Sequence, residues 1–293
     1  MHDHLEPAPV DLPTPAASLI PHRPPVRLVE ELLAVDTDGG MTATVIREDT
    51  PFLSPDGSLD RSLYLELIAQ TFAAVNGWGR LGHARPPRSG YLVGATGLTC
   101  NGTARIGDRL TVIIRPVGTF GAFRITEGVV EARDRKLATG RLKIWLAPLG
   151  KTTPGTRSIP AAPSEFTGPA LAQAIESAAV APCGTTADSA FHRSFCFRPD
   201  FMAFQGHFPG NPLVPAFIQV RLAQTILESS GYPPLKLRRI ESAKFREPLR
   251  PGQTFRAVCR PEEVGYRVKP TVALTIAEKN AATLQLAFGR AET

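Results

Sequence analysis

Two stretches of the chain carry apolar residues at helical spacing, and each is followed by a succession of alternating or β-branched runs. Leu63, Ile68, Phe72 and Val75 share one face of a predicted helix in the first half, and Phe217, Val220, Leu222 and Ile226 do so in the second. After the first helix, residues 110–114, 123–130 and 137–145 read as strands. After the second, residues 240–245, 255–259, 272–277 and 284–288 do. The helices also share a local string, Leu67-Ile68-Ala69-Gln70-Thr71 against Leu222-Ala223-Gln224-Thr225. In each half a glycine turn then opens a β-rich run: Ile106-Gly107-Asp108-Arg109-Leu110 in one, Pro251-Gly252-Gln253-Thr254-Phe255 in the other. From glutamine to turn glycine is 37 residues in the first half and 28 in the second, a difference that an insertion near residues 82–90 would supply. The pattern predicts a duplicated α+β unit, one helix packed on a curved antiparallel sheet, twice over.

Composition agrees with two folded units. The chain has 293 residues, 43% of them hydrophobic and 20% charged, with a mean hydropathy of -0.05. At roughly 150 residues per domain this is about two domains, with apolar surface enough for cores and none of the signature of wholesale disorder. Two polar, proline-rich segments divide it: a lead-in at 1–18 and a linker at 148–164, leaving domains at 19–147 and 165–293. No apolar run is long enough to cross a membrane as a helix, and the first residues lack the basic and apolar regions of a secretory signal. A cytoplasmic location is expected. The four cysteines stand apart, without zinc-ligand spacing or disulfide density, and read as buried thiols. A net charge of +6 favours an acidic partner. No aromatic-interleaved basic platform suggests nucleic acid, and no glycine-rich phosphate loop suggests a nucleotide cofactor.

The densest chemical signal is Gly206-His207-Phe208-Pro209-Gly210-Asn211-Pro212-Leu213-Val214-Pro215. Two glycines and three prolines in ten residues exclude a helix or central strand and impose a rigid loop that ends at a helix start. His207 is therefore held by backbone. Read without a family, this is either a structural loop with an incidental histidine or a site.

The string resembles the active-site segment of the β-hydroxyacyl-acyl-carrier-protein dehydratases. Leu19-Ile20-Pro21-His22-Arg23-Pro24-Pro25 resembles that family's N-terminal motif, and Leu65-Glu66-Leu67-Ile68-Ala69-Gln70 its helix motif. Lys244-Phe245-Arg246 with Pro251-Gly252 is similar to a later stretch. The halves also resemble the two partners of the heterodimeric dehydratase of aryl polyene pathways, joined in one chain. The resemblance implies a tandem hot-dog fold, each sheet wrapped around its central helix. It implies catalysis by a loop histidine and by an acid from the partner's helix, 14 residues after the partner's own histidine position. In the second half that place holds Arg221, or Val220 when the glutamines are aligned. In the first half the position 14 before Glu66 is Phe52. Each half thus lacks what the other keeps, and one composite site of His207 and Glu66 is expected across an intrachain pseudo-dimer.

In that site His207 would take a proton from Cα, while Glu66, on an apolar helix that would raise its pKa, would protonate the leaving hydroxyl or hold the water that does. Gln70, one turn on, would orient the Glu66 carboxyl. Gly210 belongs to the supporting loop, and the backbone N–H of Ala216 would steady the thioester oxygen. His22 reads as a cap or hydrogen-bond donor rather than as catalytic. His83 and His192 read as solvated, His2 and His4 as part of the lead-in, and Trp78 and Trp145 as core or interface. Lys236, Arg238, Arg239, Lys244, Arg246 and Arg250 read as a solvated face, or as a dock for an acyl carrier protein with its phosphopantetheine-linked chain. No metal or cofactor is called for, and a further homodimer stays open. The expected reaction is dehydration of a 3-hydroxyacyl thioester to a trans-2-enoyl thioester. The alternatives are a hot-dog thioesterase using Glu66, or a non-catalytic acyl-carrier binding protein.

Overall fold

The computed structural model describes residues 11–81, 89–147 and 171–290. In the first half the strands are β1 (Thr14–Pro15), β2 (Glu31–Asp36) and β3 (Gly39–Val45), then the helix α1 (Leu63–Leu81). They continue with β4 (Gly90–Cys100), β5 (Arg109–Phe120), β6 (Phe123–Ala132) and β7 (Arg135–Leu146). The second half begins with a short helix α2 (Leu171–Ser177), β8 (Gly184–Thr185) and β9 (Phe191–Cys196), and then the helix α3 (Ala216–Ser229). It continues with β10 (Leu235–Phe245), β11 (Thr254–Arg260), β12 (Glu263–Val264), β13 (Arg267–Val268), β14 (Thr271–Ile276) and β15 (Lys279–Arg290).

All the described strands belong to one antiparallel sheet, ordered β1-β2-β3-β5-β6-β7-β4-β10-β15-β14-β11-β9-β8 along its main path. The seam between halves is the β4–β10 pair, in which Ala95 faces Ala243 and Leu98 faces Ile240. The strand that follows each long helix thus pairs with its counterpart, and two sheets become one. This is the tandem hot-dog plan: α1 packs on β2 to β7, and α3 on β9, β10 and β11.

The strand runs read from alternation all lie inside β5, β6, β7, β10, β11, β14 and β15, except that Ala277 falls just past β14. Gly128 and Gly140 show why small residues interrupt that pattern. A side chain at Gly128 would lie 2.3 Å from Ile68 on α1, and one at Gly140 would lie 2.5 Å from the Leu98 backbone. Helix and neighbouring strand press onto bare backbone there. The division into lead-in, domains and linker is sharpened at one end. Residues 14–18 belong to the fold: β1 pairs with β2, and Ala16 is fully buried with its N–H bonded to the Glu30 carbonyl. Residues 1–10, the 148–164 linker and the insertion at 82–88 lie outside the described residues. His192 is a strand residue of β9, paired with Val258 rather than placed in a loop. Cys100 and Cys259 are buried thiols pushed up to about 12 by desolvation, whereas Cys183 and Cys196 are half-buried.

Candidate active site

Glu66 lies in the first turn of α1 and is 4% exposed. Its neighbours along the helix are apolar, so the carboxyl faces little water, and burial pushes its pKa from 4.5 up to about 7. Gln70 sits one turn later, as its spacing requires, and its amide donates to Glu66 Oε1 at 2.8 Å. That amide also donates to the Val26 carbonyl at 2.7 Å, and its oxygen accepts from the Leu28 N–H at 2.8 Å. Gln70 therefore fixes the acid and ties α1 to the segment that follows His22. The hydrogen bond from Gln70 favours the carboxylate, but desolvation outweighs it.

His207 comes from the other half, on the loop before α3. Its Nδ1 lies 3.1 Å from the Leu213 carbonyl. A carbonyl oxygen can only accept, so Nδ1 carries the proton and Nε2 presents a lone pair. Burial holds the ring well below its usual range, at about 4, against a smaller opposing effect of the Leu213 bond. The loop is seated backbone to backbone on the first half. The Arg23 N–H donates to the Gly206 carbonyl at 3.0 Å, and any Cβ at Gly206 would lie 2.0 Å from the Arg23 oxygen. Gly206 also has φ of 82°, so both space and conformation demand glycine. Gly210, likewise left-handed with φ of 82°, lines the cavity in the turn closed by the Asn211 N–H and the Phe208 carbonyl.

The His22 segment forms the third side. His22 is 5% exposed, its Nε2 is 3.5 Å from Glu66 Oε1, and its ring centroid is 5.5 Å from that of His207. One ligand-type atom each from His22, Glu66 and His207 fall within 4.8 Å of one another. The structure places His22 beside Glu66. Burial, then the neighbouring His207 and Arg23, depress its pKa to about 3, so its contact with Glu66 at neutral pH is not an ion pair. Sequence reasoning did not place His22 next to Glu66 and His207. The signal was present in its Pro21 and Pro24-Pro25 frame, the same device of a proline-held histidine seen at His207.

These groups line a cavity of about 770 Å³ that draws walls from both halves. Phe208, Tyr91 and Trp145 form an aromatic wall, with ring centroids 5.6 Å apart for Tyr91–Phe208 and 5.8 Å for Tyr91–Trp145. Ala216, the first residue of α3, also borders it, where a helix leaves N–H groups without carbonyl partners of its own. The basic cluster divides. Arg246 and Arg250 line the cavity, while Arg239 pairs with Glu241 at 2.7 Å and Lys236 with Asp56 at 3.8 Å.

Residues 14–152 match the ApeP dehydratase family model, and residues 185–283 match the ApeI dehydratase family model. A 3-hydroxyacyl-[acyl-carrier-protein] dehydratase FabZ of Acetivibrio thermocellus is 36% identical over 100 residues, which are 31% of this chain and 67% of that protein. The chain belongs to the hot-dog dehydratase family. The FabZ of Ligilactobacillus salivarius is 38% identical over 93 residues, 29% of this chain and 66% of that one. The chain thus spans about two thirds of the length of the curated relatives it matches. The 12:0-ACP thioesterase from Umbellularia californica superposes with a TM-score of 0.56 at 9% identity, over 85% of this chain and 92% of that one. At that identity the likeness is one of fold alone.

The pseudo-equivalent place on α3 carries an apolar residue in place of the acid. The spacing that carries Gln70 onto Gln224 carries Glu66 onto Val220, Phe52 onto Gly206 and Leu53 onto His207. Phe52 has φ of 69°, the left-handed conformation that Gly206 also adopts. The structural counterpart of His207 is therefore Leu53, one residue from the position the 14-residue count indicated. Phe52 packs on Phe217 with centroids 5.3 Å apart, and Arg221 is held by Asp60 at 3.2 Å and Glu228 at 3.7 Å.

Proposed function

We propose that the chain dehydrates 3-hydroxyacyl thioesters carried on acyl carrier protein to trans-2-enoyl thioesters, through the single composite site of His207 and Glu66. The observation that carries this reading is the inversion of the two groups. Burial leaves the imidazole neutral at about 4 and the carboxyl protonated up to about 7, so a base and an acid face each other at one pH. His207 Nε2 removes the Cα proton, and the C–H pair moves onto the thioester oxygen as an enolate. The N–H groups at the start of α3, that of Ala216 first, face that developing charge. When the enolate collapses, its electrons form the Cα–Cβ double bond and expel the β-hydroxyl, which leaves as water with the Glu66 proton. Return of the His207 proton to Glu66 restores the starting state. Gln70 keeps the acid aimed, and Gly210 keeps the loop turned. The aromatic wall accepts the acyl chain, and Arg246 and Arg250 give the mouth a positive rim for an acidic carrier.

The test is intact-mass analysis of a 3-hydroxyacyl carrier protein incubated with the enzyme. Loss of one water from the carrier-bound chain is expected. Release of a free carboxylic acid would instead mark a thioesterase, and an unchanged chain with retained carrier binding would mark a non-catalytic carrier-binding protein.

A further inference from the structure

The three polar groups of the site form a ligand set as well as an acid–base set. Two imidazoles and one carboxylate, each buried, offer atoms within 4.8 Å of one another. This is the donor chemistry of a zinc site with three protein ligands and an open fourth position. Ligand atoms around a tetrahedral zinc lie about 3.4 Å apart for bonds of ~2.1 Å. The His22 Nε2 to Glu66 Oε1 separation is already 3.5 Å, so closing the widest remaining gap, at most 4.8 Å, takes movement of no more than about 1.4 Å.

Surrounding groups are arranged as they are around bound metals. His207 gives its Nδ1 proton to the Leu213 carbonyl, which aims a lone pair from Nε2. Glu66 Oε1 accepts from Gln70, whose own partners are backbone atoms of the segment after His22. His22 supplies an independent sign. Its Nδ1 is buried and has no hydrogen-bond partner, so no protein group fixes its tautomer, and Nε2, 3.5 Å from Glu66 Oε1, is free to present a lone pair.

We propose that His22, Glu66 and His207 together bind a divalent transition-metal ion, zinc foremost, and that the ion inhibits the enzyme. Resting on the dehydratase reading, this adds a mode of regulation to the same site. The metal would take up the His207 lone pair and the Glu66 oxygen, the two atoms that the dehydration needs for proton transfer. It would also fill the space where Cα and Cβ of the substrate must lie. Chelators would then raise the activity of enzyme that has acquired metal, and zinc would compete with the acyl thioester.

Cobalt(II) reads out binding without any assay of turnover. Titrated into metal-free full-length protein, it should bind one ion per chain with the visible absorption of a four-coordinate nitrogen and oxygen site. His22→Ala, His207→Ala and Glu66→Gln should each weaken that signal by at least about 100-fold, while His192→Ala should leave it intact. Three separate ligand variants guard against one of them failing to fold. Absence of the absorption, or its persistence in all three variants, overturns the site. In the activity arm, zinc should raise the apparent KM for a 3-hydroxyacyl thioester, and a chelator should reverse the effect. Zinc that binds but leaves turnover unchanged or increased overturns the inhibition. If no hydroxyacyl substrate is turned over at all, the dehydratase reading fails, and the cobalt titration still decides the metal site.

Discussion

The two central helices occupy equivalent places in the two halves and carry equivalent glutamines, yet they use them in opposite directions. On α1, Gln70 donates back one turn to Glu66 and sideways to the Val26 carbonyl. On α3, Gln224 donates forward one turn to Glu228 at 2.9 Å and to the Leu235 carbonyl at 2.6 Å. The first glutamine aims a buried acid at a cavity. The second fastens its helix to the start of β10. What differs is which neighbouring turn holds a carboxylate, because Val220 stands where Glu66 does. The loops facing the helices differ in the same way: His207 against one, the apolar pair Phe52 and Leu53 against the other. The duplicated plan offers two copies of each position, and the chain holds a buried histidine and acid at one interface position and aromatic packing at the other.

The strongest way to break this contrast is to remove either member of the composite pair. His207→Ala and Glu66→Gln should each lower kcat by roughly 10²- to 10⁴-fold, the usual worth of a positioned acid or base, with unchanged circular dichroism. On the packing side, Phe52→Ala should cost about 3–5 kcal/mol of stability. Its kcat per folded molecule should stay within about twofold of wild type, checked by thermal melts beside kinetics. A Phe52→Ala protein that folds well but has lost its turnover would show that the silent side takes part in the chemistry.

Gly206→Ala tests the joint between the halves. The added Cβ would meet the Arg23 carbonyl oxygen at 2.0 Å, on top of a left-handed backbone that costs about 1–3 kcal/mol for a non-glycine residue. A lowered Tm together with lost activity is expected, since the same contact holds His207 in place. A variant as stable and active as wild type would mean that the loop does not depend on this seat.

The pH profile sharpens the assignment of roles. With the base free above about 4 and the acid protonated below about 7, kcat/KM should be highest between these values and fall tenfold per unit above pH 7 as Glu66 ionises. The Gln70 hydrogen bond lowers the Glu66 pKa, so Gln70→Leu should move the alkaline limb upward. A limb that stays put or moves down would detach that limb from Glu66. The smallest effect is expected at Arg221. Arg221→Met removes a partner of Asp60 and Glu228, none of which lines the cavity, and activity should stay within about twofold, measured as kcat/KM.

Much of this was legible in the chain. Helical spacing located both central helices, and alternation located seven long or medium strands, because each shows a buried face and an exposed face to the sequence. The strands ahead of each central helix, β2, β3 and β9 among them, and the very short strands were missed. β1, β8, β12 and β13 are two residues each and have no period to detect. β4 was missed for another reason: it lies at the seam, paired on both sides, and its glycines break the alternation. Within the site, the glycine and proline frame of His207 singled out the loop, and the missing partner residues suggested that the halves complement each other. His22 was discounted because a histidine near a proline motif has no period and no visible partner in sequence.

The sequence by itself determined the duplicated α+β plan, and it singled out Glu66 and His207 as candidates in different halves. These are local properties, set by spacing, turn residues and side-chain chemistry. Only the tertiary structure decided that His22 joins Glu66 and His207 within 4.8 Å, and that Arg246 and Arg250 line the cavity while Arg239 and Lys236 are paired with other carboxylates. It also decided that burial raises the pKa of Glu66 and lowers that of His207. Contacts between segments nearly two hundred residues apart follow from sheet pairing across β4 and β10. The pKa values follow from how completely that pairing excludes water, which no stretch of sequence records.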